Sequence, residues 1–406
     1  MAAVTNNVES HYTKGVEHSD VEVDRGSLNG FGAAAVNARS HAKSHTMLTK
    51  FAWLRTLLEK ELQKRSYQLV REGGKYVFIV TPGFAKNTLP WAPFPQDNFN
   101  KFSLWSSENA KMACPSFALP AGGILTGGTC PGADAGQTIT PVNQRTARLE
   151  GQADGWHLRV EAPGTGMKPL MKEGLAICQS CYATGGNFAY ANNQMAEVIR
   201  YWWLRKHLQA GNDALLVQVM VDAIQNLKFA YDRHGIRPIR LHDSGDFFSQ
   251  KYAEMWCTVA DVLAERMPDV VIWAPTRTWA QGGWAEFWQR RLPLLRSVQA
   301  GRRPNLMVRA SAYNFGDVAP GALGHGNAAG TTSLYVQNSK VPAELKNRTD
   351  AKVVGLTAGQ EDRCDFNCGV YGAEEASCTA SKAPDGQRGC RACWVHPELR
   401  VQYSAH

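Results

Sequence analysis

Ten cysteines carry most of the chemistry legible in this 406-residue chain, and nine of them fall into two groups. In a reducing compartment such a set reads as metal ligands before it reads as disulfides. The first group is built around Cys178-Gln179-Ser180-Cys181, where one turn of backbone presents two thiols to a single metal ion or cluster. Cys114 and Cys130, each followed by a proline, stand upstream and make four candidate thiolates. The second group packs Cys364, Cys368, Cys378, Cys390 and Cys393 into thirty residues of Gly-rich, charged sequence. A segment so poor in apolar anchors is expected to need metal for its folding energy, with Cys390 and Cys393 the firmest ligands and one of Cys364 and Cys368 a spectator. An iron-sulfur cluster, one or two and of the 4Fe-4S kind, is favoured because the ligands are dispersed in sequence, whereas structural zinc usually draws two close pairs. Zinc stays open as the alternative at the C-terminal site. Cys257, beside Met255 and Trp256 in an amphipathic stretch, reads as a small buried hydrophobe.

A second constellation is Arg240-Leu241-His242-Asp243-Ser244-Gly245-Asp246-Phe247, an apolar strand running into polar residues just ahead of a helix. Ligands of βα units bind at the C-terminal ends of the strands, so His242, Ser244 and Asp246 are expected to converge there, and Gly245 to allow close backbone approach. His242 and Asp246 are the candidate catalytic residues, and Ser244, Gly245 and Asp246 the candidate cofactor strand. The structural alternative is a tight turn in which Asp246 or Ser249 caps the next helix. Arg277 and Arg309 end two later strands and are candidates either to hold a carboxylate or phosphate by paired hydrogen bonds or to pair with an acidic neighbour.

These residues need a scaffold, and the alternation downstream of Cys181 supplies one. Amphipathic stretches at 189–209, 212–234, 250–267 and 283–299 alternate with β-rich runs at 239–242, 270–274, 306–310, 334–336 and 353–356. That is the signature of βα units on a parallel sheet, and predicts an α/β fold, first a partial or complete (β/α) barrel and second an open doubly wound sheet. The chain divides into a mobile N-terminal arm (1–45), a small α/β lead-in (46–81) with a helix and a hairpin, a loop-rich cysteine region (82–188), the α/β body (189–360) and the C-terminal cysteine-rich segment (361–406).

The formal charge of +8 suits an anionic partner, a nucleotide or nucleic acid. The N-terminus lacks the basic-then-apolar layout of a secretory signal, and no stretch of about eighteen uncharged apolar residues occurs. A cytoplasmic protein without a membrane span is the expectation.

Taken in order, Leu119-Pro120-Ala121-Gly122, Thr129-Cys130-Pro131-Gly132-Ala133, Cys178-x2-Cys181-Tyr182-Ala183, His242-x-Ser244-Gly245-Asp246-Phe247 and Cys390-x2-Cys393-Trp394 resemble the gene product 88 family of phages and mobile elements. The likeness spans roughly residues 114 to 394 and implies a phage or plasmid origin. A more distant likeness joins CxxCYA and the Ser-Gly-Asp strand end to radical S-adenosylmethionine enzymes. That resemblance implies Cys130, Cys178 and Cys181 as the three ligands of a [4Fe-4S] cluster, with Ser244, Gly245 and Asp246 on the cofactor's amino group. This chain departs from the compact spacing of such enzymes, since 47 residues separate Cys130 from Cys178, and Cys114 offers a fourth thiolate that would close the iron reserved for the cofactor. The reading is an iron-sulfur enzyme of that type. Its rivals are a fully ligated, metal-stabilised module binding nucleic acid or protein, and zinc-assisted hydrolysis, which no HExxH-type spacing supports.

Overall fold

Gly73 and Gly74 both adopt positive φ (55° and 80°), the conformation a two-residue hairpin turn demands. They join β1 (Ser66–Glu72) to β2 (Lys75–Ala85), which pairs in turn with β3 (Asn98–Ser103) in an antiparallel three-stranded sheet. The expected hairpin is thus present, and β3 extends it within a region read from the sequence as loop. The computed structural model describes residues 55, 58–85, 98–106, 114–123, 128–131, 138–141, 156–159, 183, 188, 190–228, 235–280, 283–312, 319–334, 366–368, 392–399 and 401–404. A helical stretch at 58–63 precedes the hairpin, and Leu58, Leu62, Phe78, Val80, Phe84 and Phe102 are buried in the same core as the helices that follow. The lead-in therefore shares its core with the body.

The body is a parallel sheet. Short β4 (Ser116–Phe117) lies on one edge, and a small antiparallel hairpin of β5 (Thr138–Pro141) and β6 (Trp156–Arg159) follows in sequence. Beside β4 come β7 (Arg237–Leu241), β8 (Val270–Thr276) and β9 (Leu306–Ala310), all parallel in the order β4-β7-β8-β9. A parallel bridge from Ser311 to Thr331 leads on to β10 (Thr331–Leu334), which pairs with β12 (Val401–Ser404), itself paired with β11 (Phe366–Cys368), again all parallel. The α/β class stands; among the described residues these strands form an open array, and no pairing closes it into a barrel. Run 353–356 lies outside the described residues.

Four expected helices can be followed. Helix α1 (Ala191–Gln209), α2 (Asp213–Gln225) and α3 (Gln250–Arg266) match their amphipathic stretches, α2 ending early at Asn226. The stretch at 283–299 is broken instead into α4 (Trp284–Arg291), a 3-10 turn at Leu292–Leu294 and α5 (Arg296–Gln299). Pro293 explains the break, since it lacks the N–H a continuous helix needs.

Both faces of the sheet are buried, as parallel strands require. Ile239, Leu241, Ile272, Ala274, Leu306 and Val308 face the helices, with Trp256, Trp288 and Met255 among their neighbours in the main core. On the opposite face Val271, Trp273 and Met307 pack with Ile236, Ala328, Cys393, Val395 and Val401. Cys393 and Val395 belong to α6 (Ala392–Val395). The described part of the C-terminal segment thus has apolar anchors in Cys393, Val395 and Val401. No helix of the described residues is long and apolar enough to cross a membrane.

Candidate functional site

Beyond the C-terminal ends of β4 and β7 two loops are tied edge to edge. The Leu119 amide donates to the Ser244 carbonyl, the Thr129 amide to Pro120 and the Cys130 amide to Gly122, each at 2.9 Å. The Thr129 hydroxyl donates to the Pro120 carbonyl at 2.9 Å and accepts from the Asp246 amide at 3.3 Å. Gly245, at φ 84°, is the hinge of this contact: a Cβ there would stand 2.4 Å from Thr129 Oγ1 and 2.7 Å from Leu119 Cβ. No larger residue fits, so the close approach expected of Gly245 is to this chain's own loop. The consequence is that Cys130 lies one residue from the Ser244-Gly245-Asp246 turn although more than a hundred residues separate them in sequence.

Asp246 ties neighbouring strand ends. Its Oδ1 accepts from the Thr276 hydroxyl (2.6 Å) and the Phe247 amide (2.8 Å), and its Oδ2 from the Arg277 amide (3.0 Å). Burial pushes its pKa up, and the bonds from Thr276 and the two amides work against that. A polar chain continues from Thr276 to Thr278 (2.9 Å) and to Trp288 Nε1 (3.0 Å). Ser249, the other residue of the capping alternative, does cap α3, accepting from the Tyr252 amide.

His242 turns away from the sheet edge. It takes a left-handed φ of 60°, which costs a non-glycine residue energy, and its ring packs edge-on against Phe247 at 4.5 Å. Nε2 lies 3.2 Å from the Tyr252 hydroxyl, while Nδ1 is buried without a hydrogen-bond partner. Burial, reinforced by Arg240, pulls its pKa down to about 3, so the ring is uncharged at neutral pH.

A buried charged cluster closes the site from the α1 side. Gln194, Glu197 and Arg200 follow each other at intervals of three along α1, all essentially inaccessible to water. Arg200 donates to the carbonyls of Ser103 (3.1 Å) and Ala118 (3.0 Å), and Arg55 to the carbonyl of Ala121 (2.6 Å) and to Gln194 (3.3 Å). Asp243 accepts from Ser116 at 3.0 Å, and burial raises its pKa against the pull of Arg240 and Arg200. Glu197 receives a long hydrogen bond from Gln194, 3.4 Å. Burial pushes its pKa up to about 8, opposed by Arg55 and Arg200 and reinforced by Asp243. The buried Ser244 hydroxyl makes no hydrogen bond of ordinary geometry, yet it lies close enough to Glu197 to favour the carboxylate.

A family model, gene product 88, matches residues 94–396, a span that contains these loops and well over half of the sequence. The chain belongs to the gene product 88 family. No curated protein and no solved structure matches it. In this gene product 88 chain the Leu119–Gly122, Thr129–Cys130 and His242–Phe247 motifs form one contact at the sheet edge.

Of the remaining candidates, Cys114 is buried two residues ahead of β4, at the opposite end of that strand from the Cys130 loop. Cys393 is buried in the second core. Cys368 lies in β11, and Cys178, Cys181, Cys364, Cys378 and Cys390 lie outside the described residues. Among the described residues no three His, Cys, Asp or Glu gather as a metal-holding group. Arg277 donates through Nε to the Ala312 carbonyl at 3.1 Å. Arg309 is fully buried and donates to the carbonyls of Cys393, Ala329, Leu399 and His396 at 2.7–2.9 Å, a set of partners that serves the fold. Sequence reasoning missed Glu197, Arg200, Arg55 and Thr129. The i, i+3, i+6 run of Gln194, Glu197 and Arg200 among Met195, Val198 and Ile199 is a signal that could have found the two on α1, because polar residues inside an apolar face need a buried reason.

Proposed function

We propose that this gene product 88 family member is an iron-sulfur enzyme, with its cluster at the C-terminal edge of the parallel sheet and held by Cys130 together with Cys178 and Cys181, after the manner of radical S-adenosylmethionine enzymes. The observation that carries this reading is the seating of Gly245 against Thr129, which sets Cys130 beside the Ser244-Gly245-Asp246 turn. The three-thiol set of that analogy leaves one iron without a protein ligand, and Cys114, buried two residues ahead of β4, is the fourth thiolate against which it is tested.

The residues present fit a cofactor in part. Ser244 offers a buried hydroxyl with unused hydrogen-bonding capacity, whereas the space beside Gly245 is taken by Thr129 and Leu119. Asp246 fits poorly as the amino-group ligand, because three hydrogen bonds already fill its oxygens; it serves to lock the ends of β7 and β8 together. His242, uncharged and packed on Phe247, supports the turn from behind. When bound, the cluster supplies one-electron chemistry; the protein supplies binding, orientation and exclusion of water. We extend the open array to a partial barrel, and the net charge of +8 favours an anionic substrate such as a nucleotide or nucleic acid.

The test is the iron, zinc and acid-labile sulfide content of anaerobically purified protein, with spectra of the reduced sample with and without S-adenosylmethionine. Iron and sulfide lost in Cys130→Ala but kept in Cys114→Ala, with a spectrum altered by the cofactor, is the expected result. Zinc alone, or a cluster indifferent to the cofactor, would sink it and leave a metal-stabilised module binding nucleic acid or protein.

A further inference from the structure

Strand β1 is an edge of the antiparallel sheet, and nothing in its sequence discourages a further strand. Edge strands are usually blunted by proline, lysine, a bulge or a covering element. β1 has 7 residues in unbroken register with β2 and contains neither proline nor lysine. The turn at Gly73 and Gly74 fixes which backbone groups it leaves over. Glu72 and Lys75 flank that turn as a hydrogen-bonded pair, so alternate residues from Glu72 back to Ser66 bond to β2, while Tyr67, Leu69 and Arg71 turn N–H and C=O outward. Among the described residues no backbone hydrogen bond from another element reaches those outward groups.

Helix α2 runs beside this edge. It begins just after α1, whose last turn places Lys206 over the Tyr67 ring, 6.0 Å from its centroid. At the other end of α2, Asn226 accepts from Arg71 at 2.7 Å and Asp222 pairs with Arg71 at 3.6 Å. The helix therefore follows the strand lengthwise, its 13 residues covering about 20 Å against about 23 Å for the 7 of β1. Leu215, 48% exposed, and partly buried Val219 precede Asp222 and Asn226 at the i, i+4, i+7, i+11 spacing of one helix face. The strand edge and this apolar stripe form one continuous surface.

We propose that a second copy of this chain docks on that surface, the two β1 strands pairing antiparallel about a two-fold axis at Leu69. In this register Leu69 faces the partner's Leu69 and Tyr67 faces the partner's Arg71, and each of these pairs exchanges both backbone hydrogen bonds. The middle of α2, at Val219, stands over the middle of β1, so the two α2 helices meet antiparallel along their Leu215 faces. Charge complementarity selects a second copy over an unrelated strand. Asp222, held by Arg71, comes beside the partner's Lys206, which lies over the partner's Tyr67. No like charges stand opposite each other, since Glu72 faces the partner's Ser66 and Gln68 the partner's Val70. The dimer uses no residue at the end of β7, so it stands or falls apart from the iron-sulfur reading.

Sedimentation of the full chain should show a species of twice 44.6 kDa that dissociates on dilution. Leu215→Glu, at an exposed helical position, should weaken it about tenfold or more. Cross-linking reads the register. Gln68 and Val70 share the face of β1 turned away from the main core, and in the proposed pairing they form a non-hydrogen-bonded pair with Cα atoms about 4.5 Å apart, within reach of a disulfide. An equimolar mixture of Gln68→Cys and Val70→Cys should cross-link under a mild thiol oxidant about tenfold faster than either variant alone, with wild type alongside to count bridges of the native cysteines. Circular dichroism checks that each variant is folded. A chain that stays monomeric at every concentration overturns the proposal and leaves the edge to a strand of a different protein. A dimer in which the mixed pair has no advantage overturns it as well.

Discussion

Two buried side chains set opposite limits on the pH range of this fold. Glu197 has its pKa raised from 4.5 to about 8, so the native state binds a proton that the unfolded chain has released. Its contribution to stability is complete below 4.5 and is lost as pH rises through 8. His242 has its pKa lowered from 6.5 to about 3, so the unfolded chain takes up a proton that the native state refuses. Stability is lost on that account as pH falls from 6.5 toward 3. Glu197→Gln keeps the shape and removes the titration. Its urea midpoint relative to wild type should therefore rise steadily between pH 5 and pH 8, and a constant offset across that range would show that Glu197 is ionised throughout. Neither limit was visible in the sequence: His242 was legible as a special residue, but its inward ring follows from a left-handed φ and from the aromatic wedge of Phe247 and Tyr252, which only the packed structure defines.

At the level of elements, the sheet was legible because β8 is a continuous apolar run and β9 is one broken only by Arg309, and α3 because Ser249 caps a strongly amphipathic stretch. Strand β4 was not legible, since two residues carry no periodicity; it exists because Ser116 and Phe117 pair with Arg240 and Leu241. The site depends on that unreadable pairing, which brings the loop after β4 to the end of β7. Gly245 is its most sensitive joint. Gly245→Ala would force a Cβ into Thr129 and Leu119 at a φ of 84°, costing about 2–4 kcal/mol from overpacking and backbone strain together. Thermal unfolding should register that loss, and Thr129→Ser combined with Gly245→Ala should not recover it, because the hydroxyl and Leu119 still block the space. A Gly245→Ala protein as stable as wild type would mean that the two loops part easily and that Cys130 is not fixed at the sheet edge.

On the scale of the whole molecule, one face of the parallel sheet is covered by helices and the other by residues 319–334 and the C-terminal segment, and Arg309 holds that second cover down. It rises from β9 with every side-chain contact described above directed to main-chain oxygens, of Ala329 on one piece of the cover and of Cys393, His396 and Leu399 on the other. Helix α6 and the turn after it expose carbonyls at their C-terminal ends, where a cation is favoured, and a planar guanidinium reaches several at once. The docking of this cysteine-bearing segment therefore has two separable supports, Arg309 with the apolar contacts of Cys393, Val395 and Val401, and any metal held by its thiols. Arg309→Ala strands the carbonyls in a buried setting and should cost about 3–5 kcal/mol. Arg309→Lys should recover only part, since one ammonium cannot span four acceptors. Hydrogen exchange measures the outcome locally: amides of 392–404 should lose protection in Arg309→Ala even with metal supplied, and should keep most of it in wild type after chelation. Loss of protection on chelation alone, with Arg309→Ala indistinguishable from wild type, would instead make metal the principal fastening of the segment, and the apolar anchors of α6 and β12 a secondary one.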